Sequence, residues 1–284
     1  MDLARSSREP AVAGTFYPAD PASLRREVAR LVRSELPARD AVACLAPHAG
    51  YVYSGAIAGR TFAEVRVPRR AIVLCPNHTG RGAARSIWPE GAWRTPLGEV
   101  AVDAELAARV AHEAGLTPDR AAHLREHAVE VELPLLLRAR ERTMRSGDAP
   151  AAAGDPLSIV PVCLAGLSLA ACTAIGEGLA RAIGDEDVLI VASSDMSHYL
   201  PADTARALDE LALNALVALE AEALYRTVAL HDISMCGVVP ATVAVVAARA
   251  LGATRATLVR YGNSGEASGD FDRVVGYAGV TIER

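Results

Sequence analysis

At 284 residues, with 51% hydrophobic and 22% charged side chains, the chain can bury a full core and has the balance of a soluble globular protein. A net charge of -5 and the lack of a basic cluster argue against a nucleic-acid partner. All 29 basic residues are arginine, so a Schiff-base lysine, a pyridoxal phosphate anchor and a Walker-type phosphate lysine are excluded.

The first residues, Met1-Asp2-Leu3-Ala4-Arg5, lack the apolar core of a signal peptide. Beyond them, helical periods rich in alanine and leucine alternate with short β-branched runs. The expected order begins with a helix over 21–34, a strand over 41–45, a helix over 54–65 and a strand over 71–74. Helices follow over 103–114 and 129–140, with Asp103 at an N-cap position and Gly115 at a helix end. The segment 146–155, rich in Gly, Ala, Pro and Asp, reads as a surface loop within one domain spanning 1–284, because the alternation resumes after it. The apolar stretch 157–172 is broken by Ser158, Pro161, Gly166 and Ser168. It is too short for a membrane span and reads as a strand over 157–163 entering a helix over 168–183, with Ser168 at the N-cap. A strand over 188–192, helices over 203–219 and 239–251, and strands over 256–260 and 274–282 complete the pattern, Gly252 closing the last helix. This alternation predicts an α/β fold. The polar segment 262–270 is too long for a simple turn, but it holds no complete phosphate-binding fingerprint.

Three short histidine-bearing segments each follow a β-like run: Ala46-Pro47-His48-Ala49-Gly50-Tyr51, Cys75-Pro76-Asn77-His78, and Ser194-Asp195-Met196-Ser197-His198. In open α/β sheets, ligands bind beyond the carboxyl ends of the strands. Three imidazoles and a carboxylate at that edge would make a metal or acid/base site. A single histidine in such a turn is as readily a packing residue, and the two roles stay open for His48 and His78. Asp195 and His198 share a face if their segment forms a helical turn, and the carboxylate would then orient the imidazole; a turn cap beside a packed histidine is the alternative.

The five cysteines are odd in number and include no Cys-x-x-Cys pair, which argues against a disulfide framework or zinc knuckle and suits a reducing cytoplasm. Cys44, Cys75 and Cys163 read as core. Cys236 precedes the helix near Val239, where a helix N-terminus would favour a thiolate; an inert buried cysteine is the other reading. Glu126, His127, Glu130 and Glu132 are either a solvated helix end or support for a site. His112 and His123 are expected at the surface, and the spacing does not require His231 to approach Cys236.

Taken together these blocks resemble the Memo family, whose bacterial members often carry the name AmmeMemoRadiSam system protein B. The resemblance begins at Pro10-Ala11-Val12-Ala13-Gly14-Thr15-Phe16-Tyr17-Pro18 and is most specific in Pro47-His48-Ala49-Gly50-Tyr51. It continues through Pro76-Asn77-His78, Trp93-Arg94-Thr95-Pro96-Leu97-Gly98, Glu126–Pro134, Ser193–His198, Met235-Cys236-Gly237 and Tyr261–Gly265. Three positions depart from the family pattern: Cys75 and Asn77 replace a usual glycine and serine, and Thr79 stands where many relatives have a second histidine.

The resemblance implies a central mixed sheet flanked by helices, like the class III extradiol dioxygenases, with a metal pocket at one edge. It implies His48, His78 and Cys236 as metal ligands, His198 as the acid/base histidine beside Asp195, and Phe16, Tyr51 and Tyr53 as pocket borders. Cys236 takes the place of the carboxylate in the dioxygenases. A thiolate favours copper(I), zinc or thiolate-tolerant iron, so ordinary ring cleavage does not follow from the fold. The implied cofactor is iron or copper, with zinc a further option. The implied partners are a radical-SAM protein and an AMMECR-type domain protein. Metal-dependent oxidoreductase is the leading expectation; a metal-dependent hydrolase and a non-enzymatic peptide- or phosphopeptide-binding module are the alternatives.

Overall fold

Apolar runs buried on both faces form the middle of a sheet, as strands covered by helices on each side require. A computed structural model describes residues 7–145 and 156–284; the expected loop 146–155 lies outside the described residues. The strands are β1 Ser7–Arg8, β2 Ala41–Ala46, β3 Arg70–Pro76, β4 Arg85–Ile87, β5 Ala92–Thr95 and β6 Gly98–Val102. They continue as β7 Thr117–Pro118, β8 Ser158–Leu164, β9 Val188–Ser193, β10 His198–Leu200, β11 Arg255–Asn263 and β12 Val274–Glu283. The helices are α1 Pro21–Leu31, α2 Tyr51–Ala63, α3 Ala104–Ala114, α4 Ala128–Arg145 and α5 Leu169–Ile183. After them come α6 Ala202–Val217, α7 Ala221–Leu230, α8 Val238–Ala250 and the single turn α9 Gly265–Ser268.

The sheet runs β1-β5-β6-β8-β3-β9-β2-β12-β10, with β11 on β12 and β4 on β8. Its centre, β8-β3-β9-β2, is parallel, and β12 joins β2 antiparallel. The fold is therefore α/β with a mixed sheet flanked by helices. The expected strands and helices are all present within a few residues. Asp103 accepts from Leu106 N at 3.0 Å and Ser168 from Ala171 N at 3.3 Å, the N-cap contacts their positions called for. Gly115 closes α3 with φ 62°, the left-handed conformation that glycine adopts freely.

Three differences matter for the site. Helix α2 begins at Tyr51 rather than three residues later, which draws Tyr51 into the core. The segment 195–198 is not a helical turn: Asp195–Ser197 is irregular, and His198 opens strand β10. In 262–270, the first two residues end β11 and the next few form α9, so most of that polar stretch is regular structure. No helix among the described residues is long and apolar enough to cross a membrane.

The N-terminal segment is fastened to the start of α4 by a buried ion pair. Arg8 and Glu130, both fully buried, meet at 2.7 Å. Arg8 also donates to the carbonyls of His123 and Glu126 and lies 4.2 Å from the centre of the Trp93 ring. Glu130 accepts from Ala11 N, Val12 N and the Tyr17 hydroxyl, so its oxygens are filled. Breaking a buried, fully hydrogen-bonded pair from one side leaves the other charge without its partner, at a cost of about 3–5 kcal/mol. Arg8→Met should therefore lower unfolding free energy by that amount in urea titration; a loss near zero would show that the N-terminal strap is not tied through this pair.

Candidate metal centre

Strands β3, β9 and β2 lie side by side and parallel, so their carboxyl ends open on one edge of the sheet. His78 follows β3, Asp195 follows β9 and His48 follows β2. The three histidine segments therefore converge because three neighbouring strands end together. The cleft above them has a volume of about 570 Å³, and His48, His78, His127, Asp195 and His198 line it. Phe16 and Tyr53 also line it. Tyr51, expected beside them, does not: it is buried, and its hydroxyl donates to the Val131 carbonyl at 2.8 Å.

His48 is buried, and its Nδ1 lies 2.8 Å from Ser193 Oγ. Ser193 has two acceptors for its one proton, Glu132 Oε1 at 2.9 Å and the Ala128 carbonyl at 3.3 Å. The Ser193 contact occupies Nδ1 and leaves Nε2 as the ring nitrogen toward Cys236. Burial, assisted by the His78 charge, pushes the His48 imidazole down to about 3, so the ring is neutral at physiological pH. Its backbone N–H donates to Asp195 Oδ1 at 2.9 Å.

His78 is held differently. Its Nδ1 lies 2.9 Å from Glu126 Oε1, and its backbone N–H donates to Glu126 Oε2 at 2.7 Å. Glu126 also accepts from His127 N and Ala128 N at the start of α4. Burial opposes the carboxylate charge, but hydrogen bonding and the charge of His78 outweigh it and hold Glu126 at about 2. Burial likewise works against a charged His78, and the Glu126 contact outweighs it, raising the imidazole above its ordinary value. A carboxylate on Nδ1 fixes the tautomer that turns Nε2 outward, as it does for metal-binding histidines generally.

His127 completes the floor. Its ring stacks on His78 at 4.8 Å and meets Phe16 edge-on at 4.9 Å. Burial, then the His48 charge, push its imidazole down to about 4. The solvated helix end that the sequence allowed for Glu126, Glu130 and Glu132 is corrected: all three are fully buried. His123 is also buried rather than at the surface, set edge-on to Trp88 and Trp93 with Nε2 2.9 Å from Ser86 Oγ.

Cys236 reaches the same point from the other side of the sheet edge. A Cβ at Gly237 would lie 2.4 Å from Ser194 Cβ and 2.5 Å from the Ser193 carbonyl, so only glycine lets the start of α8 approach β9 this closely. Cys236 Sγ then sits 3.4 Å from His48 Nε2 and accepts from Asp195 N at 3.3 Å. The expected thiolate is not what the environment favours: burial and the Asp195 charge push the thiol up. The thiol has two neighbours that can take its proton, His48 Nε2 and the Asp195 carbonyl at 3.6 Å.

The expected Asp195–His198 contact is also corrected. Asp195 serves the His48 backbone, while His198 gives its Nδ1 proton to the Ser234 carbonyl at 2.9 Å and its backbone N–H donates to Ser234 Oγ at 2.8 Å. Extended backbone separates the two side chains that a helical turn would have joined. Asp195 stays in the floor, its carboxyl raised to about 6 chiefly by burial. His231 and His112 are exposed, and His112 pairs with Glu113 on the surface of α3.

The ligand atoms of His48, His78 and Cys236 lie within 4.8 Å of one another. Two neutral-capable imidazoles with outward Nε2 atoms and one sulfur are a donor set for a soft or borderline transition metal. A second group, His78, Glu126 and His127, is equally close, but the oxygens of Glu126 are already occupied by N–H donors, so the first group is the better ligand set.

The profile of a family described as Memo-like protein matches residues 8–281. A MEMO1 family protein of Aquifex aeolicus is 40% identical, with 96% of this chain and 98% of that protein aligned. Two others, of Methanopyrus kandleri and Methanothermobacter thermautotrophicus, are each 37% identical and cover 98% and 95% of this chain and 99% and 98% of their own lengths.

Glu126→Gln conserves shape but places an NH2 where a carboxylate oxygen accepts N–H groups, so at least one buried donor loses its acceptor. Stability should fall by about 1–3 kcal/mol in urea titration at neutral pH. An unchanged midpoint would show that the carboxylate does not organise this turn.

Proposed function

Since the chain belongs to the Memo-like protein family, we propose that its cleft is a metal centre held by His48, His78 and Cys236, and that the protein is an iron- or copper-dependent oxidoreductase. The reading rests on one observation above the others: one imidazole nitrogen from each of two histidines and one sulfur, from three separate chain segments, meet within 4.8 Å. The supports around them favour the same use. Ser193 and Glu126 each occupy an Nδ1, leaving the other ring nitrogens for a ligand. The Cys236 thiol gives up its proton when sulfur becomes a ligand.

A bound iron or copper ion would supply redox chemistry and Lewis acidity at the floor of the cleft. The chain's own residues would do the rest. His198 is half-buried on the cleft wall, its Nδ1 committed to Ser234, so its Nε2 is the position for giving or taking a proton. His127, neutral over the physiological range, offers a second imidazole beside His78. Phe16 and Tyr53 place aromatic surface on the cleft wall. The likeness of the fold to class III extradiol dioxygenases belongs to this reading. So do a cytoplasmic setting, which rests on the cysteine usage, and partnership with a radical-SAM protein and an AMMECR-type domain protein, which rests on the family resemblance alone.

Anaerobic metal analysis of four proteins tests the proposal: wild type, His48→Ala, His78→Ala and Cys236→Ser. Wild type should carry about one redox-active ion per chain after loading with iron(II) or copper, and each variant should lose most of it. Equal binding by all four would contradict the ligand set. Selective uptake of zinc with no redox change would contradict the oxidoreductase and favour the hydrolase.

A further inference from the structure

The mouth of the cleft holds a strained residue and an unpaired cation next to each other. Tyr199 lies where the pairing of β10 with β12 shifts register between His198 and Leu200, and its φ is 61°, the left-handed region that non-glycine residues disfavour. Bulges of this kind re-aim a side chain beside a site. Here the residue lines the cleft and is 65% exposed, one position after the proposed acid/base histidine. The guanidinium of Arg273 lies over its ring, 5.6 Å from the centroid. Arg273 is brought there by the same pairing, since the next residue, Val274, is the partner of Leu200.

Arg273 is the arginine among the described residues lining this cleft, and it forms no ion pair or hydrogen bond with the described residues. Most arginines near an acid in this protein are paired, including Arg66, Arg70, Arg94 and Arg109. Asp270 lines the same mouth, but its Oδ1 accepts from Asp272 N and it does not pair with Arg273. A guanidinium resting on an aromatic ring keeps its planar N–H edge free for a carboxylate. Phosphate recognition gathers several cations, whereas this mouth has one, with Asp270 alongside and Asp195 in the floor. A single guanidinium whose planar edge is free fits one carboxylate rather than a phosphate dianion. The aromatic walls, Phe16, Tyr53, Tyr199 and Tyr277, and the volume of about 570 Å³ fit a molecule with one planar ring.

We propose that Arg273, laid against Tyr199, receives the carboxylate of a small planar monoanion whose other end extends toward His48 and His78. The proposal rests on the reading of the cleft as a metal centre and names the class of molecule it takes.

The test uses benzoate and its neutral isostere benzamide, with phenyl phosphate as the dianion, titrated calorimetrically into full-length wild type and Arg273→Gln. Each protein is used both metal-free and loaded with iron(II), with metal content measured directly. Wild type should prefer benzoate over benzamide by about ten-fold, roughly the effect of one charge-assisted contact. Arg273→Gln should bind benzoate no better than benzamide, with benzamide affinity and metal content unchanged. Equal affinity of wild type for the two, no binding of either at millimolar concentration, or a preference that survives Arg273→Gln would overturn the proposal. Tighter binding of phenyl phosphate than benzoate would overturn its carboxylate class. A chain that takes no metal yet shows the Arg273-dependent preference contradicts the metal reading alone; one that takes metal and lacks the preference contradicts this inference alone.

Discussion

Glu126 places one buried carboxylate against the N–H groups of His78, His127 and Ala128, and against the His78 ring. Those contacts join the end of β3 to the start of α4. They also set which nitrogen of His78 faces the cleft and carry His127 to its place on the floor. One turn further along α4, Glu130 ties in Arg8 and the N-terminal strap that brings Phe16 against His127. Glu132, one step further, reaches Ser193 and through it His48. Three acids within seven residues thus organise the cleft from below, each through a different segment of the chain.

The acids do this in different charge states, and their partners decide which. Glu126 is surrounded by N–H donors and stays ionised despite its burial. Glu132 is equally buried but accepts from one hydroxyl, its other oxygen has no partner, and the nearby Asp195 charge adds to the penalty, so its carboxyl is pushed well up. The same contest of burial against hydrogen bonding keeps His48 neutral and raises His78. The two imidazoles nearest Cys236 are therefore shifted in opposite directions by their surroundings.

Much of this arrangement was legible in the sequence because strands buried on both faces leave continuous apolar runs, and in such sheets the chemistry gathers where those runs stop. His48, His78 and Asp195 were visible for that reason, and Cys236 through the family resemblance. What the sequence did not reveal depends on long-range burial. Glu126, Glu130 and Glu132 look like a solvated helix end until Arg8 and the strand ends are brought over them from far away in the chain. His123 looks exposed until Trp88 and Trp93 close around it. The three-residue spacing of Asp195 and His198 fits a helix, but β12 captures His198 as a strand residue and separates the two. Short edge strands such as Arg85–Ile87 lack a run long enough to show a period.

The central claim is that one sulfur and two imidazoles from three separate chain segments share one metal ion. X-ray absorption at the metal edge of the anaerobically loaded protein tests it directly. The account predicts one sulfur scatterer at about 2.3 Å together with the multiple-scattering pattern of two imidazole rings. A first shell of nitrogen and oxygen alone, with no sulfur, would contradict it.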